Sequence, residues 1–295
     1  MKSTSATYIA RARNELTEHL IYGKLARREK NPENRKLLEK LSAQEKTHYE
    51  FWKSLVPGSD PKPHALAPIG IPLLRTIFGV TFTTKFLETH ESASIATYTS
   101  MLAAMPEEYK GRLREIIEDE RSHERGLLGE LKERRIAYIG FIALGLADAI
   151  VEITGVHAGF LGVTGSTFIA GISGVIVGFA AAISMGSAAY IQAKQDTGKS
   201  AIVSGFTTWA SYFVSVIFLA MPYFFITTMI AAFAASTTIG ILLLAAFTFF
   251  GAVVFDRKFW REISESVGLM LGTALATYML GTIVGKVFHT GDRSF

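Results

Sequence analysis

The sequence contains no cysteine. Disulfide bonds and any thiolate metal site are therefore excluded. The first 30 residues are strongly polar and lack the apolar stretch of a secretory signal peptide, so no cleavable signal is expected. The net charge of +4 is explained by Lys and Arg in short loops, and no nucleic-acid motif is present, so we expect no nucleic-acid partner.

Charge is scarce in the second half of the chain. Between residues 136 and 288, charged side chains are confined to two clusters, 194–199 and 256–265, and to Asp148, Glu152 and Lys286. The apolar runs between them are long enough to cross a bilayer, which takes about 20 residues of helix. We therefore predict five spans, near 136–160, 166–191, 202–225, 227–254 and 266–288.

Lys and Arg are concentrated in loops that lie on one predicted side of the membrane. These loops, at 132–135, 194–199 and 256–262, are expected to face the cytoplasm because positive loops are retained there. The N-terminal half is then cytoplasmic. Because the number of spans is odd, the C-terminus is expected outside, in a multi-pass protein of the cell membrane.

The first 134 residues predict a separate domain of four helices. Apolar residues recur there with helical spacing, and the breaks fall at Asn31-Pro32, in the Pro- and Gly-rich stretch 56–72, and at Met105-Pro106. Two short connections and one long middle connection are typical of ferritin-like bundles. The predicted fold class is all-α, with a ferritin-like four-helix bundle at 1–134 followed by a five-helix transmembrane domain at 135–295.

Ionisable residues interrupt all four apolar stripes of this domain. Two Glu-x-x-His pairs occur, and residues at this spacing share one helix face. One such pair is usually a solvated surface or a cap, but both copies here lie on apolar stripes, where a carboxylate needs a partner, a proton or a metal ion. Carboxylate-rich ligands favour iron or manganese over copper or zinc. The predicted di-metal ligands are Glu15, Glu45, His48, Glu88, Glu91, Glu120 and His123.

At these residues the first half of the chain resembles the ferritin-like domain of rubrerythrin. The rubrerythrin pattern has Glu, Glu-x-x-His, Glu-x-x-Glu and Glu-x-x-His on successive helices. It is matched by Glu15, Glu45/His48, Glu88/Glu91 and Glu120/His123. The resemblance implies a di-iron site. The cysteine-ligated rubredoxin domain that feeds electrons to rubrerythrin has no counterpart in this sequence.

Asp148 and Glu152 are the only carboxylates inside a predicted span. They are four residues apart and face one direction, where they would repel each other unless a cation or a proton lay between them. We interpret them as ion-binding residues; a structural hydrogen bond to a neighbouring helix is the alternative. Met185 in the second span offers a soft thioether, although a lone methionine more often serves packing.

The second half of the chain resembles the vacuolar iron transporter family. The resemblance is carried by residues 145–148, 183–186 with Tyr190, 221–224 and 274–281. It implies that the transported ion meets Asp148 and Met185, and that two copies form a dimer with the ion path along their interface. Two features depart from the family. Val177 replaces a Glu that plant members have eight residues before the methionine, and the cytosolic metal-binding helices after the second span are reduced to 195–199.

The combination of these halves resembles the membrane-bound ferritin proteins of bacteria and archaea, which implies iron export in defence against peroxide stress. We therefore expect a homodimeric, proton-coupled exporter of Fe²⁺, with Mn²⁺ as a second candidate ion. Its di-iron domain would capture, sense or oxidise the metal, and its path would contain Asp148, Glu152 and Met185. The alternative is a membrane-tethered di-iron ferroxidase or peroxidase. Iron storage is disfavoured because it needs a closed shell.

Overall fold

The computed structural model describes residues 2–65, 67–88, 91–130, 136–195 and 198–288. Their secondary structure is entirely helical and includes no β-strand, so the all-α prediction is confirmed. The chain forms two compact units that divide near residue 134. Each unit is built around its own buried residues and is described separately.

The described residues of the first unit form five α-helices. They are α1 (Lys2–Arg28), α2 (Pro32–Ser54), α3 (Ala67–Glu88), α4 (Glu91–Met101) and α5 (Glu107–Glu130). α2 begins after Asn31, whose side chain accepts hydrogen bonds from the backbone N–H groups of Glu33 (2.9 Å) and Asn34 (3.2 Å). Pro32 occupies the first helical position, where its missing N–H costs nothing.

α1 packs along α2, α2 packs against α5, and α4 packs against α5. One apolar cluster joins α1 to α2 through Ile21, Leu25, Leu38 and Leu41. A second cluster, around the fully buried Trp52, joins α2 to residues of α1, α4 and α5. These contacts align the helix faces that carry the predicted metal ligands of α1, α2 and α5.

The third predicted helix is wrong in its limits. The sequence pattern indicated one helix between the stretch 56–72 and Met105-Pro106, whereas α3 already begins at Ala67 and α4 is a separate element. Inside α3 the backbone breaks at Gly79, where φ is 90° and ψ is 173°. This conformation is accessible to glycine and interrupts the helical hydrogen bonding, so the chain changes direction there.

Within the described part of the second unit, five long apolar helices follow a short 3₁₀ turn at Ile136–Tyr138. They are α6 (Ile139–Val163), α7 (Thr167–Gln195), α8 (Ala201–Phe225), α9 (Met229–Phe255) and α10 (Phe259–Val287). All five are long and apolar enough to cross a membrane. Their outward faces carry large exposed apolar side chains such as Ile202 (74 % exposed) and Ile230 (76 %). The second unit therefore indicates a multi-pass membrane protein.

The helix of the last predicted span begins before the span itself. The span was predicted near 266–288, and residues 259–265 form the first two turns of α10. Ion pairs stabilise these turns: Arg261 Nε lies 3.0 Å from Glu265 Oε1, and Arg257 lies 3.4 Å from Glu262. An acidic residue in the first turn also interacts favourably with the helix dipole. α10 therefore extends beyond its apolar segment.

Glycines allow α6 to approach its neighbours closely. A Cβ atom built on Gly281 of α10 would lie 2.2 Å from the backbone oxygen of Gly159 in α6. A Cβ on Gly145 would lie 2.4 Å from the backbone oxygen of Thr208 in α8. Small residues permit such close helix contacts in membrane proteins, and they hold the carboxylate-bearing helix α6 between α8 and α10.

Candidate functional site

Three helices of the first unit bring carboxylate and imidazole groups into one buried cluster. Glu15 comes from α1, Glu45 and His48 from α2, and Glu120 from α5, and one ligand atom of each lies within 4.8 Å of the others. All four side chains are at least 97 % buried. Ligand atoms that share one ion at about 2.1 Å lie within about 4.2 Å of each other, so a small contraction would complete the site.

His123 places a second imidazole on the same cluster. Its Nδ1 atom lies 3.5 Å from Glu45 Oε1 and 3.8 Å from Glu120 Oε2. The opposite oxygens of the same two carboxylates face His48 Nδ1, at 3.3 Å from Glu45 Oε2 and 3.3 Å from Glu120 Oε1. Glu45 and Glu120 therefore lie between two imidazoles whose ring centroids are 6.4 Å apart. This arrangement of carboxylates between imidazoles could hold metal.

Several ligand atoms of the cluster lack hydrogen-bond partners among the described residues. Within the described residues, Glu15 Oε2, both oxygens of Glu45, and the Nδ1 atoms of His48 and His123 are buried without a well-formed hydrogen bond. Leaving a buried polar atom unpaired costs about 1–3 kcal/mol, and more for a charged group. Divalent cations would satisfy all of these atoms together, so the cluster could hold metal ions.

The charge on His48 shows how the cluster is balanced without metal. Burial by itself lowers the pKa of His48, but its contacts with the Glu120, Glu15 and Glu45 carboxylates hold the pKa well above the usual value. Burial raises the pKa of Glu45 and of Glu120. Burial, and then the charge of His48, lower the pKa of His123 to about 4. A proton on His48 thus stands in for a cation among the carboxylates.

Two polar residues outside the cluster orient the imidazoles. His48 Nε2 lies 3.3 Å from Asp119 Oδ2, and His123 Nε2 lies 3.1 Å from Gln44 Oε1. Both rings thereby turn their Nδ1 atoms toward the cluster, as partners of metal-binding histidines commonly do. Sequence reasoning missed both residues. The signal was present, because each lies four positions before a histidine in the same repeated pattern.

Tyr98 of α4 also belongs to the site. Its hydroxyl group donates a short hydrogen bond to Glu15 Oε1. Burial, and then the charge of Glu15, raise the pKa of Tyr98 well above the usual value. No sequence signal marked its hydroxyl group. Glu18 of α1 is half-buried, and its charge contributes to raising the pKa of Glu45.

The structure does not describe the side chains of the predicted ligands Glu88 and Glu91. Their backbone belongs to the ends of α3 and α4. Five of the seven predicted ligands are therefore found together, and these two remain predictions.

The predicted transport residues line one cavity of the second unit. Asp148 and Glu152 of α6 face Met185, Ser184 and Val177 of α7 across a cavity of about 580 Å³. Val177 contributes only a hydrocarbon wall. Glu152 accepts a hydrogen bond of 2.6 Å from the hydroxyl group of Tyr212 in α8. Tyr212, which is fully buried, was missed in the sequence because nothing distinguished it from packing aromatics.

A second cavity continues from Glu152 along α6. It measures about 510 Å³ and extends between α6 and α10, past Gly159, Thr273 and Thr277, to Val163 and Val284. Glu152 and Val177 line both cavities. The two cavities therefore meet at Glu152 and together reach the end of α6 that precedes α7.

His157 is a further buried polar residue of α6. Its ring contacts that of Tyr223 at a tilt, with centroids 4.1 Å apart, and packs against Gly174 of α7. Neither ring nitrogen has a hydrogen-bond partner among the described residues. Nothing in the sequence distinguished this single histidine from its apolar surroundings.

The chain has no significant match among protein-family models, curated proteins or solved structures.

Proposed function

We propose that this protein is a homodimeric exporter of Fe²⁺ from the cytoplasm, coupled to protons, with Mn²⁺ as the second candidate ion. The observation that carries the proposal is the cavity that Asp148, Glu152 and Met185 share inside an apolar helix unit. Carboxylates in a membrane span are costly, by about 2.5–3.5 kcal/mol for an Asp at the helix centre. A helix bundle that served only as an anchor would have no use for them.

The donors of this cavity suit a transported divalent ion. Carboxylate oxygens bind Fe²⁺ and Mn²⁺ well, and the thioether of Met185 favours the softer Fe²⁺ of the two. Tyr212 holds Glu152 in position by a hydrogen bond. In this proposal the ion enters from the cytoplasm, binds between α6 and α7, and leaves past Glu152 through the second cavity. Protons that reach the carboxylates from outside weaken their hold on the ion and release it.

The buried cluster of the first unit supplies the cytoplasmic part of the function. Glu15, Glu45, His48, Glu120 and His123 would hold two iron ions. The centre would capture or sense iron before export, or oxidise it under peroxide stress. Capture lowers free Fe²⁺ in the cytoplasm, which is the purpose that export would also serve.

The experiment that tests export is Fe²⁺ flux into proteoliposomes, measured anaerobically with a chelating dye inside. An acidic lumen should accelerate Fe²⁺ entry, and Asp148→Asn should abolish the entry because it removes a carboxylate from the path. Glu262→Gln, which changes a carboxylate in the first turn of α10, is the matched control and should retain flux. An Fe²⁺ flux that is the same with and without the pH gradient would refute proton coupling.

The second candidate function is a membrane-tethered ferroxidase or peroxidase, and the paired imidazoles around two carboxylates favour it. Two variants distinguish the two functions. Glu120→Gln should stop oxygen or peroxide consumption upon Fe²⁺ addition, whereas Asp148→Asn should leave that consumption unchanged. Absence of flux together with peroxide consumption would make the first unit an enzyme and overturn the exporter.

A further inference from the structure

Three oxidisable aromatic side chains extend from the buried cluster to the surface of the first unit. Tyr98, which hydrogen-bonds Glu15, lies with its ring centroid 5.0 Å from that of Trp52. Trp52 in turn lies 5.8 Å from Tyr8. Tyr98 and Trp52 are at least 99 % buried, whereas Tyr8 on α1 is partly exposed. The three rings form a continuous line in which each contacts the next.

We propose that Tyr98, Trp52 and Tyr8 form an electron-transfer path between the metal centre and the protein surface. The inference rests on the proposed metal centre. It gives the centre a source of electrons within a sequence that has no cysteine for an iron–sulfur cluster. The partner at Tyr8 is a one-electron donor in solution, such as a small organic reductant.

Packing alone does not account for Trp52. Its indole N–H is buried and has no hydrogen-bond partner among the described residues. An unpaired buried donor costs about 1–3 kcal/mol, a cost that an apolar side chain at this position would avoid. Phe51 beside it, with centroids 5.1 Å apart, shows that the core does accept phenylalanine. Tryptophan differs from phenylalanine in being readily oxidised.

The phenolic proton that Tyr98 loses on oxidation has an acceptor. The Arg11 guanidinium lies 5.7 Å from the centre of the Tyr98 ring, so its charge opposes a second positive charge there. When Tyr98 gives up an electron, its phenolic proton moves along the hydrogen bond to Glu15 Oε1, and the ring stays neutral. Trp52 has no proton acceptor and keeps its proton while it is briefly oxidised.

The electrons balance over a full cycle. Hydrogen peroxide accepts two electrons and two protons to give two waters, and iron held by the cluster would bring peroxide to the inner end of the path. Each of the two electrons is supplied in turn: Tyr98 gives an electron toward the peroxide, Trp52 reduces Tyr98, whose proton returns from Glu15, and Tyr8 reduces Trp52 and releases its phenolic proton to water. The external donor finally reduces Tyr8 and is itself oxidised by one electron.

The first test uses the full metal-free chain in detergent and a soluble photo-oxidant. A flash should oxidise the exposed Tyr8, and the radical should then move to Tyr98, where freeze-quench electron paramagnetic resonance detects it. Assignment comes from its absence in Tyr98→Phe. Trp52→Phe and Tyr8→Phe should each lower the Tyr98 radical yield at least tenfold, and Phe51→Leu, beside the path, should not.

The second test uses the iron-loaded chain with peroxide and ascorbate present together. The rate of peroxide-dependent ascorbate oxidation should fall at least tenfold in Trp52→Phe and Tyr8→Phe, with iron binding unchanged. Tyr8→Phe removes one partly exposed hydroxyl group, so it keeps the test valid if Trp52→Phe does not fold. Unchanged radical yield and an unchanged rate of ascorbate oxidation in both variants would overturn the path. If iron does not bind, the metal centre fails, and the metal-free test still decides on the path.

Discussion

His48 is the side chain whose protonation state should change most when metal binds. Its Nδ1 atom faces the carboxylates of Glu15, Glu45 and Glu120 at 3.3–3.7 Å. Because these groups hold its pKa well above the usual value, His48 keeps its proton at neutral pH in the metal-free protein. A metal ion needs the same lone pair and must displace that proton.

Metal binding should therefore release at least one proton at neutral pH, and metal affinity should rise with pH. A free histidine, with a pKa of about 6.5, would stop competing near pH 7, whereas the raised pKa of His48 extends the rise to alkaline pH. Calorimetric titration of Mn²⁺ in buffers with different heats of ionisation measures the released protons.

The exposed His64 provides the control for this measurement. His64→Gln should leave the number of released protons unchanged, because His64 lies outside the cluster. Equal binding heats in all buffers, or an affinity that levels off near pH 7, would contradict a protonated His48.

α3 contains the one break inside a helix that the described residues show in the first unit. Gly79 has a positive φ of 90°, while the residues after it, Val80–Lys85, are all buried. The break re-aims the chain so that this short segment packs in the interior. Only glycine adopts such a backbone conformation without strain.

Replacing Gly79 by alanine should destabilise the protein by about 1–3 kcal/mol, since the new Cβ makes this backbone conformation strained. Gly111→Ala is the matched control. Gly111 lies within α5 with nothing within 4 Å of a new Cβ, so alanine there should stabilise the helix by about 0.5–1 kcal/mol. Opposite shifts of the thermal midpoint of the full chain in detergent are expected. If Gly79→Ala left the thermal midpoint unchanged, the break at Gly79 would not be required for stability.

The sequence was sufficient for elements whose signal is repeated. Apolar length located all five membrane helices, and the two Glu-x-x-His pairs identified Glu45, His48, Glu120 and His123, which converge in space. It was insufficient where one residue overrides a pattern. The spacing of apolar residues does not predict the φ angle of Gly79. It also does not predict the ion pairs that extend α10 to Phe259. It also cannot report contacts between helices, such as the hydrogen bond of Tyr98 with Glu15.

At the level of the assembled protein, the cavity of Asp148 and Glu152 poses a solvation problem. Its wall includes Ile176 (65 % exposed) and Val177 (39 % exposed), so in a single copy it would open toward lipid. A carboxylate in contact with hydrocarbon is unfavourable. A second copy placed over the α7 face would shield the cavity and complete an ion path between subunits, as the proposed dimer requires.

The absence of native cysteine makes this arrangement directly testable by disulfide cross-linking. Single cysteines at Ile176, Ala180 and Ser184, which line the cavity, should form linked dimers in native membranes, because a disulfide needs Cα atoms within about 7 Å. Ile230→Cys on α9, which is at least as exposed, should stay monomeric. Equal cross-linking at Ile230 would indicate random collision. No cross-link at any cavity position would place the dimer interface elsewhere and leave the carboxylates to be shielded by protonation alone.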